Sequence, residues 1–308
     1  MAEEMNETER YYREAINDPY KCMETVKKAP WSIRYAKEQT LELCMEAVQN
    51  DGEVLAYVKE QTPEICMAAV KNCGWALEYV KEQTSDICMA AINSNGLALK
   101  HVKEQTPEIC MAAVKNSGWA LEYVKEQTPE ICTAAVKNSE WALEYVKEQT
   151  PDICMAAINS NGLALQYVKE QTPDICMAAV KNSGWALEYV KEQTPEICMA
   201  AVQENFRAIR FVKEQTPEVC MTAVNESAKA LQYIEHQTPE MFIAAMKHDS
   251  RAVNYISEEC AKSLINNVEK RISNGQAVKP EEYYAYQNLT AELEPINSEV
   301  DMNEDFEM

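Results

Sequence analysis

A 22-residue period constrains this chain more than any other feature of its sequence. The stretch Thr106 to Gln127 reads TPEICMAAVKNSGWALEYVKEQ, and its pattern returns without a gap. KEQT or a close variant ends at Thr40, Thr62, Thr84, Thr106, Thr128, Thr150, Thr172, Thr194 and Thr216, and EHQT ends at Thr238. A fixed period of this length marks stacked supersecondary units, each hiding its apolar face only against its neighbours. Counted from Asp18-Pro19, eleven repeats run through Glu259.

Each repeat carries its own punctuation. Thr106 is the residue type that caps a helix N-terminus, and Pro107 fits the first helical position, where no donor is needed. Asp18-Pro19 is expected to do the same for the first repeat. A first helix then runs to about Asn116, apolar across Ile109–Val114, with Glu108, Ala112 and Lys115 tracing its wetter stripe. Asn116-Ser117-Gly118 breaks it, with Gly118 expected in a left-handed conformation. A second α-helix is expected from about Trp119 to Glu126, burying Ala120, Leu121 and Val124. Helices this short are marginal alone, so stacking must hold them. The predicted fold is an all-α solenoid of about eleven 22-residue helix-turn-helix repeats with helical caps.

Residues 1–17 supply an N-terminal capping helix, Asn6 to Ile16, and residues 18–259 the repeats. Residues 260–293 supply closing helices, with Tyr283, Tyr284 and Tyr286 placed to cover the open end of the core. Residues 294–308 read as an acidic disordered tail. Formal net charge is −21, of which residues 1–17 contribute −3 and the nine carboxylates after Lys279 contribute −9. This balance disfavours direct nucleic-acid binding and attraction to an anionic membrane. There is no signal-peptide pattern and no apolar run of membrane-spanning length, so a cytoplasmic location is expected.

The run EICMAAVKNSGWALEYVKE resembles a short helical tandem repeat of a domain-of-unknown-function family found in bacteria, giant viruses and phages. The AV…G-x-AL-x-Y core carries the likeness across residues 18–259, while Val124 and the constant KEQTP linker depart from the family pattern. The resemblance implies an α-helical repeat fold and brings no catalytic residues with it.

Four columns of equivalent residues bear on function. Ten cysteines (Cys22, Cys44, Cys66, Cys88, Cys110, Cys132, Cys154, Cys176, Cys198, Cys220) share one repeat position. A column spaced by whole repeats can neither pair into disulfides nor converge on a metal, so it reads as reduced core thiols. The tyrosine column, including Tyr123 and Tyr145, with Phe211 in the same place, reads mainly as packing. The Lys-Glu pairs, such as Lys125-Glu126, read as a solvated face. The fourteenth position accepts Trp, Glu, Leu, Arg and Lys, so it cannot be fully buried. All five tryptophans stand there: Trp31, Trp75, Trp119, Trp141 and Trp185. Toward the C-terminus the surface turns basic through Arg207, Arg210, Lys229 and Arg251.

Amphipathic cover over the helix junctions accounts for large side chains in this column; as a functional reading, these nine residues are the candidate partner-binding set, since exposed Trp and Arg anchor interfaces. No catalytic or metal-binding residue and no cofactor is predicted; His101, His236 and His248 occupy three different repeat positions. The expected function is a non-enzymatic protein–protein interaction scaffold, with an acidic decoy for a nucleic-acid-binding protein as the alternative.

Overall fold

In the computed structural model, residues 7–300 are described, with side chains through residue 291. Among them are eleven successive pairs, each an α-helix followed by a 3-10 helix, and no strand. The chain divides into two compact units, Met1–Ser160 and Asn161–Met308.

The N-terminal unit opens with the helix Glu7–Ala15. Its first repeat departs from the expected cap. The helix begins only at Cys22, while the Asp18 carboxylate accepts the Tyr20 amide in a turn. Full-length repeats follow. Pro107–Asn116 is representative: the Thr106 hydroxyl accepts the Ile109 amide at 3.3 Å, and the Asn116 end coincides with the expected break. Ile109, Cys110, Ala113 and Val114 are buried. They pack against the equivalent helices Ser85–Ser94 and Pro129–Asn138 and against the 3-10 helices on either side. Met111 and Ala112 are half-buried, so the methionine joins the wetter stripe instead of the core.

The second element is not the expected α-helix. It is a six-residue 3-10 helix, Gly118–Tyr123, and Val124 is already extended (φ −72°, ψ 118°). An α-helix reaching Glu126 would spend the Lys125 amide on the Leu121 carbonyl, four residues back. Instead that amide donates to Gln105 Oε1 of the preceding repeat at 3.0 Å. The Leu121 carbonyl accepts from Val124 N–H and from Gln127 Nε2. With three residues per turn, positions three apart eclipse. Gly118, Leu121 and Val124 therefore form one buried row, and Trp119 and Glu122 an exposed one.

Gly118 is needed for closeness, not handedness. Its φ lies outside the left-handed region, where Gly275 at +66° stands alone among the described glycines. A Cβ on Gly118 would lie 2.7 Å from the Ala135 carbonyl oxygen and 2.8 Å from Ser139 Cβ of the next repeat. The approach is locked by Asn138, whose Oδ1 accepts the Gly118 amide at 2.7 Å while its Nδ2 donates to Lys115 O at 2.9 Å. Where Glu204 replaces this asparagine, its carboxylate accepts the Gly184 amide instead.

The C-terminal unit repeats the same scheme from the 3-10 helix Gly162–Tyr167 to Ser250–Tyr255. Helix Glu258–Ser273 then ends at Gly275, where the Gln276 amide reaches back to Arg271 O and the Gly275 amide to Ile272 O. The last helix, Pro280–Val300, packs on Pro239–His248 and Glu258–Ser273. It covers the core with Ala285 and Leu289, which are buried, rather than with the expected tyrosines. Tyr283 and Tyr284 are exposed and Tyr286 is half-buried. The helix also carries through residues 294–300, where the sequence suggests a disordered tail; residues 301–308 lie outside the described set.

Candidate functional site: an aromatic ridge on the 3-10 helices

The exposed row of each 3-10 helix presents position 14 and, one turn on, position 17 of the repeat. In the N-terminal unit the indoles of Trp119 and Trp141 stack with centroids 6.5 Å apart and planes 13° apart. Trp119 also leans on Tyr145, one repeat on, at 5.8 Å. They remain 41% and 42% exposed, unusually wet for such large apolar groups. Trp75 meets His101 edge-on at 5.7 Å. In the C-terminal unit Trp185 meets Phe211 at the same distance. Apart from the Trp119–Trp141 stack, a single rule covers these contacts: the indole of one repeat rests on the position-18 aromatic of the next. The tyrosine column is thus half of the ridge and not simply core, with Tyr57 and Tyr79 exposed.

Position 17 sets the charge of the ridge. Trp75, Trp119, Trp141 and Trp185 are each followed three residues later by a glutamate: Glu78, Glu122, Glu144 and Glu188. Burial first, and then the Glu122 carboxylate, push the Tyr123 hydroxyl above its usual pKa. Burial again leads at Tyr145, followed by the charges of Glu122 and Glu144. At Tyr79 the neighbouring Glu78 is the first cause of the same upward shift. Two repeats carry arginine at this position instead. The Arg34 guanidinium lies 4.8 Å from the centre of the Tyr35 ring and 5.6 Å from that of Tyr57. Arg210 lies 5.4 Å from that of Tyr233.

The remaining candidate residues divide between the units. Trp31 is half-buried between Tyr12 at 5.1 Å and Tyr35 at 6.3 Å. Arg207 is exposed over its neighbour Phe206 at 4.9 Å, and Lys229 is exposed. Arg251 forks onto Asp249 at 3.0 Å, and this pairing holds the aspartate below the usual carboxylate range. Trp31, Trp75, Trp119 and Trp141 thus belong to the N-terminal unit, and Trp185, Arg207, Arg210, Lys229 and Arg251 to the C-terminal one.

Beside the ridge runs the glutamine column, which in the sequence is part of the KEQT repeat boundary. Gln127 Nε2 donates to Leu121 O of its own repeat and to Tyr145 O of the next at 2.9 Å. Its Oε1 accepts the Lys147 amide at 3.0 Å and faces the Cys132 thiol at 3.7 Å. Gln193 does the same with Leu187, Phe211, Lys213 and Cys198. The signal was present in EHQT, where Glu235 and His236 replace Lys and Glu but Gln237 is kept.

The lysines are also spoken for. Lys125 Nζ donates to Lys103 O at 3.0 Å and Lys191 Nζ to Lys169 O at 2.9 Å, so these ammonium groups tie one repeat to the last. The column cysteines after Cys22 are free thiols, buried without exception. Burial raises the thiol pKa at Cys44, Cys66, Cys88, Cys110, Cys132, Cys176 and Cys198, and to about 11 at Cys220, as expected of core packing rather than a nucleophile. On the α-helical side the half-buried methionines line shallow grooves, such as one between Met67, Lys71, Met89 and Asn93.

A family model described as a domain of unknown function, DUF4116, matches seven overlapping windows: residues 40–84, 62–105, 84–128, 106–150, 128–172, 150–193 and 172–216. The windows advance by about one repeat and together cover more than half of the chain. No curated protein and no solved structure matches it.

Proposed function

This chain belongs to the DUF4116 family, and we propose that it acts as a non-enzymatic scaffold that binds a protein partner along the aromatic ridge. One observation carries the reading. Trp119 and Trp141 stack on each other, yet each leaves about two-fifths of its surface in water. Large exposed aromatics held rigid by their neighbours lose little entropy on contact, which suits them to anchor an interface. The backbone beneath them is fixed by the Gln, Asn and Lys bonds between repeats, so the ridge is presented ready-made. No helix among the described residues is long and apolar enough to cross a membrane.

The test is retention of a native partner by affinity purification, followed by re-forming the purified pair. The W119A/W141A/W185A variant is expected to lose the partner while its far-UV circular dichroism stays that of the parent. Undiminished retention of the same partner by that variant would overturn the reading. The net charge of −21 favours the acidic-decoy alternative, which makes a different prediction. Neutralising Glu292, Glu294, Glu299, Asp301, Glu304, Asp305 and Glu307 to their amides would then abolish binding with the ridge intact. Deleting the whole segment from Glu281 is a poorer test, because Ala285 and Leu289 cover the core.

A further inference from the structure

The ridge alternates aromatic faces with carboxylates, and the chain itself shows what fits such a place. Where position 17 is arginine, its guanidinium stands over the position-18 ring 23 residues on, as Arg34 does over Tyr57 and Arg210 over Tyr233. Glu122 and Tyr145 are the same two repeat positions, also 23 residues apart, with Trp119 leaning on the same ring. There the chain supplies a carboxylate where it elsewhere supplies the cation. Glu188, Trp185 and Phe211 repeat the arrangement in the C-terminal unit. The adjacent Lys125 and Lys191 side chains are bound to backbone carbonyls.

Resting on the scaffold reading, we infer that the partner is recognised through arginine. Each Trp–Glu row, with the aromatic of the next repeat, seats a guanidinium group presented by an extended, arginine-bearing segment of another protein. A guanidinium satisfies both halves of the seat, stacking its plane on indole or phenol and donating to the carboxylate beside it. A purely apolar segment would strip water from Glu122 and Glu144 without replacing its hydrogen bonds. An acidic segment or a nucleic-acid backbone would meet like charge from those glutamates and from the chain as a whole. Lysine brings charge but no plane, so it fits less well.

Because all five tryptophans lie in this one column, intrinsic fluorescence reads the ridge directly. The probe is an acetylated, amidated (Arg-Gly-Gly)3 peptide, compared with its citrulline twin, which keeps the shape and loses the charge, and its lysine twin. The arginine peptide is expected to shift the emission saturably. The citrulline peptide should bind about tenfold more weakly or not at all, and the lysine peptide between the two. The E122Q/E144Q/E188Q variant should lose about tenfold in affinity with unchanged circular dichroism.

Equal binding of the citrulline peptide would overturn the inference. So would full affinity in the glutamine variant, or loss of binding only when the C-terminal acidic residues are neutralised. A native partner that depends on the tryptophans while the arginine peptide leaves the emission unmoved would sink the arginine assignment and leave the scaffold standing. A native partner indifferent to the tryptophans removes the scaffold reading itself.

Discussion

The glutamine column and the fourteenth-position column stand side by side in every central repeat, and they are used in opposite ways. Each amide atom of Gln127 is spent on a neighbour: two carbonyls accept from its nitrogen, while an amide and a thiol approach its oxygen. The fourteenth position makes ring contacts instead where it is Trp119, with Trp141 and Tyr145. It tolerates Trp, Glu, Leu, Arg and Lys, and at Trp119 it leaves a large ring half in water. A solenoid has no distant contacts to fall back on, so bonds between adjacent repeats decide whether it stands. The glutamine therefore belongs to stability, and the tryptophan is free to belong to recognition.

The sharpest way to break this contrast is to truncate both. Gln127→Ala strands the Tyr145 carbonyl and the Lys147 amide, and is expected to cost about 2–4 kcal/mol in urea unfolding, below the full ~1–3 kcal/mol for each of two buried groups because the Lys147 amide borders water. Gly118→Ala forces a Cβ toward the Ala135 carbonyl and should cost about 1–3 kcal/mol in the same measurement. Trp119→Ala loses ring contacts and should cost only about 1 kcal/mol, while partner affinity falls at least about tenfold. A Trp119→Ala loss as large as that of Gln127→Ala would erase the distinction between the columns.

A smaller, graded test comes from pH. Burial lifts the thiols of Cys220 and Cys260 from an ordinary 9.0 to about 11, and raises those of Cys110, Cys132 and Cys198 in the same direction. The unfolded chain therefore gives up these protons first. The contribution is whole below about pH 9 and is lost as pH rises toward 11. Melting temperature should fall across that window, and Cys220→Ala should flatten the fall. The smallest effect separates thiols by exposure. At pH 8, alkylation followed by peptide mapping should label half-buried Cys22 and Cys73 ahead of the buried column.

Much of this was legible in residue order. Thr106, Pro107 and the Asn116 break predict the first helix closely, because capping and proline effects act within one turn. The tryptophan column could be recognised as partly exposed from its tolerance of unlike residues alone. The methionines were not separable from the core, since Met111 differs from Cys110 only in which side of the helix its neighbours cover. The closing tyrosines misled for a similar reason: Ala285 and Leu289 take the inward face, and the larger rings stay outside.

The period, the number of repeats, the bounds of the α-helices in the full-length repeats and the column in which surface identity varies are legible in residue order. All of these rest on interactions within a few residues or on comparing one repeat with another. That the second element is a 3-10 helix, that its glycine serves close approach, and that indoles and tyrosines share a ridge follows from packing between repeats. Each of those outcomes depends on a partner about one repeat away. Gln105 takes the Lys125 amide, Asn138 takes the Gly118 amide and Tyr145 receives Trp119. Such a bond competes with the local helix only once the neighbouring repeat is in place, and no rule of local propensity contains it.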